Sequence, residues 1–359
     1  MSEPCQLNLP IDIPEKPRFP STRYQGSKQK FIDWIWNCIS PIKFNSVLDA
    51  FGGTGCFAYR AKLAGKEVVY NDILPFNAII GQALIENPGI KLEGDDVNRL
   101  LDLNAAAKAP DFIARTFHDV YYTDDENAWL DKVSFNIRNT KNLYKRSLAY
   151  FALFQSCICK RPYNLFHRKN LYVRQSDVQR TFGNKKTWDT PFDVHFRKFV
   201  IEANRAVFDS GKKCRSICYD AFKLSGDFDL VYIDTPYVSS EGKGVDYAAF
   251  YHFLNGISDY DSWPSRIDYS TKHLKLKTDY NVWTDRNFIH EAFAELFRHY
   301  NRSILAVSYR SNGVPSIDAI VEMLRKTHSD VKVFTGMEMK YALSKTSSRE
   351  VLLLATPLV

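Results

Sequence analysis

The sequence has no apolar run approaching the roughly 20 residues that a membrane helix needs, and its proline-broken beginning, MSEPCQLNLPIDIPEKPRFP, lacks the basic-then-apolar order of a signal peptide. It reads as a soluble, cytoplasmic chain with no membrane partner. Its seven cysteines (Cys5, Cys38, Cys56, Cys157, Cys159, Cys214, Cys218) form no CxxC pair and match no histidine cluster. That argues against a zinc site or a disulfide framework, so reduced thiols and no metal are expected. There is no P-loop lysine motif and no complete GxGxxG fingerprint, hence no cradle for a pyrophosphate. Internal repeats and low-complexity tracts are also missing.

What is present suits a globular enzyme. The chain has 359 residues, 45% apolar and 25% charged, enough for one large domain or a catalytic domain carrying a smaller module. The net charge of +7 is unevenly spread. Between Lys160 and Arg215 there are fourteen lysines or arginines against five acids, a local excess of +9, which suits an acidic partner such as nucleic acid.

Five prolines in residues 1–20 predict an extended arm. Apolar spacing predicts a helix from Lys28 to Ile39, then a strand over 46–51 (SVLDAF), a glycine turn GGTG, a helix ending at Gly65 and a strand over 67–72 (EVVYND). This is a βαβ unit of only 27 residues. Further strands are predicted at 216–222, 229–237, 303–310, 331–336 and 349–356, with helices at 286–299 and 316–327. The fold class is therefore α/β, a mostly parallel sheet with antiparallel additions at one edge. Residues 90–215 differ in character, helical in their first half (143–159 above all) and basic, aromatic and aperiodic over 160–188.

Two constellations carry chemistry. In the first, Phe51-Gly52-Gly53-Thr54-Gly55 follows Asp49 at a strand end and precedes Asp72 at the end of the next strand. Glycines let a ligand lie against the backbone, and an acid at the second strand end can accept from ribose hydroxyls, so a nucleoside cofactor without phosphates fits. In the second, Asp234-Thr235-Pro236-Tyr237 follows the apolar strand Leu230-Val231-Tyr232-Ile233. The Asp234 carboxylate and the Thr235 carbonyl can take both hydrogens of an exocyclic amine while Tyr237 stacks on the ring that bears it.

The order Tyr24-Gln25-Gly26-Ser27-Lys28, DAFGGTG (49–55), Asp72, Asp220 with Phe222, then DTPY (234–237) closely resembles the alpha group of adenine-specific DNA methyltransferases. The resemblance covers most of residues 22–356 and implies a Rossmann-like S-adenosylmethionine-dependent catalytic domain formed by 21–89 and 216–359. An inserted, mostly helical target-recognition region, 90–215, would bind double-stranded DNA. By position, Tyr24, Gly26 and Lys28 would lie at the cofactor, Tyr24 and Lys28 toward its methionine end. Asp49, Phe51, Gly53 and Gly55 would line its cavity, Asp72 would take the ribose, and Asp220 and Phe222 the adenine. Asp234, Thr235, Pro236 and Tyr237 would form the catalytic corner, acting on an adenine flipped out of the duplex. Arg161, Arg168, Lys169, Arg174, Lys185 and Lys186 are candidates for phosphate contact, and Asn164 or Asn184 for base edges. A restriction-modification setting with a cognate endonuclease is implied.

The chain departs from the family pattern twice, with threonine for the first proline of DPPY and QGSK for a double-glycine segment; the serine matters only where φ must be positive. Methylation of an RNA base or a protein amide by the same fold, and an inactive DNA-binding relative, remain as alternatives. The aromatic stretch 246–263 reads as a flap over the site or, for most of its side chains, as packing on the core, and the lysines of 270–277 as possible phosphate contacts.

Overall fold

The computed structural model describes residues 16–176, 185–239, 244–339 and 347–358. Expectations for residues 1–15 and for 177–184, Asn184 included, lie outside the described residues. Nine strands are present: β1 (Ser46–Asp49), β2 (Glu67–Asn71), β3 (Cys214–Ile217), β4 (Leu230–Ile233), β5 (Val238–Ser239), β6 (Ile304–Arg310), β7 (Gly313–Val314), β8 (His328–Met339) and β9 (Ser348–Pro357), among the described residues. Seven form one sheet in the order β3-β2-β1-β4-β6-β9-β8. The first five of these run parallel, and β9 and β8 add antiparallel at one edge.

Side-chain alternation gives each face of this sheet its own core. Val47, Val68, Leu230, Tyr232, Ala306 and Leu352 face one cluster, and Leu48, Val69, Val231, Ile233, Leu305 and Leu353 face the other. Strand β4 is buried along its whole length, which is why its sequence is an unbroken apolar run. The first face is covered by α1 (Ile32–Ile39) and α2 (Cys56–Leu63), the second by α3 (Ile289–His299) and α4 (Ile317–Arg325).

Residues 90–215 are mostly helical and share the first core instead of building a separate one. Their centre is a helix at Leu143–Cys159, started by the Asn142 side chain accepting from the Lys145 N–H and buried on all sides from Ser147 onward. Each large apolar side chain so buried stabilises the fold by roughly 1.5–3 kcal/mol. A surface ion pair contributes roughly 1 kcal/mol at most, so packing fixes this segment to the sheet. The aromatic stretch joins the same core: Phe253, Tyr260 and Trp263 are buried against Phe112, Phe117 and Tyr121, and Tyr251 against Tyr24 and Phe76. Packing therefore accounts for most of it, and Tyr247 is the aromatic that turns toward the cavity described below.

Two of the expected strands stop well short, and of these 229–237 is a strand only over Leu230–Ile233, which leaves Asp234–Tyr237 in the loop at its carboxyl end. The run 216–222 does not continue as a strand; β3 starts at Cys214 and ends at Ile217, because its partner β2 ends at Asn71. Tyr219 instead donates its N–H to the Asn71 side chain at 3.1 Å, and Asp220 lies in the loop beyond. The chain winds one way from β1 to β3 and the other from β4 to β6, so the carboxyl ends of β1 and β4 flank the reversal, the usual place for a ligand crevice.

Candidate active site

A cavity of about 580 Å³ opens at that reversal and gathers Tyr24, Gly26, Lys28, Asp49, Phe51, Gly53, Asp72, Asp220, Phe222, Asp234, Thr235, Pro236 and Tyr237. Gly55 is the remaining cofactor candidate; it caps α2 in a left-handed conformation (φ 77°), behind the wall. Residues up to some 200 positions apart thus meet at one opening.

The floor is the glycine turn. Gly53 adopts φ 52° and donates its N–H to the Asp72 carboxylate at 2.9 Å, while the Tyr70 hydroxyl donates to its carbonyl at 2.7 Å. Asp49, at the end of β1, accepts from the Ala58 N–H at 3.2 Å through one oxygen, and its other oxygen is buried without a hydrogen-bond partner. Burial, then the nearby Asp234 and Asp72 charges, hold its carboxyl well above the usual range. Burial likewise pushes Asp72 up to about 6, against the N–H groups of Leu74 and Gly53 and the Asn77 amide that it accepts.

One wall is aromatic. Tyr24 lies sandwiched between Tyr247 and Tyr251, at ring separations of 5.5 and 4.5 Å. At the far end Phe222 stacks on Trp283 (5.4 Å), which meets Phe51 edge-on. Asp220 accepts from the Phe222 N–H at 3.0 Å, so one of its oxygens is already engaged.

The corner after β4 holds the charged groups. Lys28 is buried and bridges Asp234 at 3.2 Å and Glu350 at 2.8 Å. Asp234 keeps 18% of its side chain exposed, toward the cavity. Its carboxyl is pushed up to about 7 by burial, an effect that Lys28 opposes and Glu350 reinforces. Tyr237 packs edge-on to Tyr309, and the Arg310 guanidinium lies 5.0 Å from its ring centre. The serine of QGSK has φ −56° and caps the turn before α1, while the required positive φ (81°) falls on Gly26. That departure from the family pattern is therefore harmless.

A sequence profile of the D12 class of N6 adenine-specific DNA methyltransferases matches residues 24–313. The chain belongs to that class. Its similar relatives include the type II methyltransferase M2.HphI of Haemophilus parahaemolyticus, 27% identical over 325 residues that span 88% of this chain and 91% of that protein. The type II methyltransferase M.NlaIII of Neisseria lactamica is 23% identical, over 84% of this chain and 87% of its own length. Modification methylase LlaI of Lactococcus lactis subsp. lactis is 21% identical over 91% of this chain and 52% of that longer protein. The reaction is accordingly site-specific methylation of adenine in DNA, and the corner and glycine turn are where its chemistry is sought.

The basic candidates of this methyltransferase divide. Arg168, Lys169, Lys185 and Lys186 are exposed, with Lys169 paired to Asp119 and Lys185 to Asp189. Arg161 and Arg174 are not available to phosphate, contrary to the sequence expectation. Arg161 is 1% exposed and donates to the carbonyls of Leu165, Tyr121 and Arg168 and to the Asn170 side chain. Arg174 makes a two-pronged ion pair with Glu126. Both serve the fold, because a buried guanidinium must spend its donors on internal acceptors. Asn164 and its neighbour Tyr163 both take left-handed backbone, at φ 59° and 62°.

Sequence reasoning missed Glu350, Trp283 and Asn77, and reached Tyr247 only as one residue of the stretch 246–263. Glu350 did leave a signal, a lone acid leading the apolar run VLLLA; Trp283 left none. Cys56 lines the cavity, but burial pushes its thiol up to about 12, which leaves it protonated and unreactive. Among the described residues no cluster of His, Cys, Asp or Glu could hold a metal ion, and no helix is long and apolar enough to cross a membrane.

Proposed function

We propose that the methyl donor is S-adenosylmethionine and that transfer occurs at the Asp234–Tyr237 corner onto the amino group of an adenine swung out of duplex DNA. The observation that carries this reading is the single cavity shared by Asp234, Thr235, Pro236 and Tyr237 with Gly53, Asp72, Asp220 and Phe222. A nucleoside donor fits the residues present: Gly53 lets a ligand approach the backbone, Asp49 has an acceptor oxygen to spare, and Phe222 and Trp283 offer aromatic surface. Asp72 would hold the ribose, although three of its acceptor positions are already used internally. Asp220 and Phe222 would take the donor's adenine, and Tyr24, Gly26, Lys28, Asp49, Phe51 and Gly55 the remainder of its cavity. When bound, S-adenosylmethionine supplies a methyl group on a sulfonium sulfur.

Asp234 and the Thr235 carbonyl accept the two amine hydrogens, which draws the nitrogen lone pair out of conjugation with the ring and stabilises the positive charge that grows on nitrogen. Pro236 fixes the turn, and Tyr237 stacks on the extruded base. Such a contact offsets about 1–3 kcal/mol of the unstacking cost. As the nitrogen–methyl bond forms and the sulfur–methyl bond breaks, the amine releases one proton, which the Asp234 carboxylate can accept. No covalent enzyme intermediate is needed.

The order of glycine turn, helical insert and catalytic corner is that of the alpha group. Residues 90–215 would then be the target-recognition region, with Arg168, Lys169, Lys185 and Lys186 on phosphates. The type II relatives imply a restriction endonuclease of the same specificity as partner. The test is to incubate the purified chain with labelled S-adenosylmethionine and separate samples of unmodified duplex DNA, RNA and protein, then hydrolyse the product. Label recovered as N6-methyladenine from DNA is expected; label confined to RNA or protein would overturn the substrate.

A further inference from the structure

We propose that Glu350 is a positioning residue for methyl transfer, holding Lys28 against Asp234 and keeping the surroundings of the target amine negative. The inference rests on the corner reading above. Glu350 stands on β9, beyond the stretch 24–313 that the family profile covers. Its side chain is 0% exposed, and its Oε1 accepts from Lys28 Nζ at 2.8 Å and from Ser308 Oγ at 2.6 Å, while Oε2 has no hydrogen-bond partner among the described residues. Leu352 and Leu354, next on the same face of β9, belong to the apolar core. Packing alone is served there by another leucine, and a buried carboxylate is costly unless its charge is used.

The use lies in the charge balance. Lys28 beside Asp234 forms a neutral pair that puts a cation next to a nitrogen that must become positive. Glu350 takes up the Lys28 charge, so the three groups together carry one net negative charge into the transition state. Lys28 still pins the Asp234 carboxylate in one orientation, as the 3.2 Å contact requires. The other titratable groups facing Asp234 are Asp49 from β1, Cys56 from α2, Tyr232 from β4 and Tyr247 from the aromatic stretch. None of these pairs with Lys28 as Glu350 does.

The experiment is single-turnover methylation by the full chain carrying Glu350→Gln, a near-isosteric change, with Asp234→Asn in parallel. The expected result is a fall in the transfer rate of about 10- to 100-fold, with affinity for S-adenosylmethionine and DNA within about twofold. The acid limb of kcat/KM also moves to lower pH, because the charge that raises Asp234 has gone. Loss of packing alone does not move that limb. Ser308→Ala, which removes one contact to the same oxygen, moves both readouts less in the same direction and serves if the Gln variant fails to fold. A folded Glu350→Gln protein with wild-type rate and pH profile, or one that loses only cofactor affinity, overturns the proposal. If Asp234→Asn keeps full activity, the corner reading itself falls; if it is inactive while Glu350→Gln is normal, only the role of Glu350 falls.

Discussion

In the helical segment, the buried Lys160, Arg161 and Arg174 and the half-buried Glu126 have opposite charges or carbonyl acceptors arranged around them; at the carboxyl ends of β1, β2 and β4, Asp49, Asp72 and Asp234 are enclosed with less opposite charge. Burial alone pushes Glu126 up, yet hydrogen bonds and charge from Arg174, then Lys160, hold its carboxyl below the usual range. The three strand-end aspartates are all raised. The same cost of desolvation acts in both regions: at Glu126 two cations outweigh it, whereas Asp49 and Asp72 have no cation beside them and Asp234 shares its one, Lys28, with Glu350. Satisfied charges hold loops in place, while under-satisfied ones mark the site.

The largest effect that tests this contrast is Asp234→Ala. It is expected to lower the transfer rate by on the order of 10²–10³-fold, as removal of a key transition-state contact does, with calorimetric affinity for the methyl donor nearly unchanged. Activity within about tenfold of wild type, or 1.4 kcal/mol, removes Asp234 from the corner. Next is Arg161→Met, which takes a donor from the Leu165 and Arg168 carbonyls and the Asn170 side chain and should cost roughly 2–4 kcal/mol of stability, seen as a drop in Tm of several degrees. Weakened DNA binding with an unchanged Tm would return Arg161 to the DNA surface and break the comparison.

A smaller effect separates the regions by pH. The folded pKa of Asp72, about 6, lies above its ordinary value of 3.8, so its contribution to stability is fully present below 3.8 and is lost as pH rises through 6. Asp72→Asn should therefore flatten the decline in Tm between pH 4 and 7, measured by calorimetry, and should also weaken binding of the methyl donor. Glu126 acts in the opposite sense, its contribution disappearing as pH falls through its lowered folded value. The smallest effect is Arg168→Ala, on the exposed side. DNA affinity should fall by about 1 kcal/mol or less, and the slope of log affinity against log salt by about one, with Tm unchanged. An unchanged salt slope takes Arg168 off the phosphates.

Much of the fold was legible because its signals are local. The run SVLDAF, the GGTG turn and EVVYND lie within 27 residues and fold into β1, α2 and β2 as their periodicity indicates. The helix at Leu143–Cys159 matches its expected span, and it is buried from Ser147 to its end. The site was legible in part for the same reason: glycines, strand-end acids and DTPY are read from adjacent residues. Arg161 and Arg168 look alike in a basic run, and nothing adjacent in sequence tells that one faces Tyr121 and the other solvent. Trp283 closes on Phe222 across a long stretch of chain and left no pattern to read.

By itself the sequence determined the strands, the glycine turn and the residue types at the corner, since backbone preference and side-chain alternation act over a few neighbours. Only the tertiary structure decided which charges are buried, which are paired and which stay exposed. Lys28, Asp234 and Glu350 lie far apart in the chain, and they meet because the short 3-10 turn at Lys28–Lys30, the carboxyl end of β4 and the start of β9 converge at the same end of one sheet. Electrostatic energy depends on separation in space and on access to water, and neither is a property of neighbouring letters.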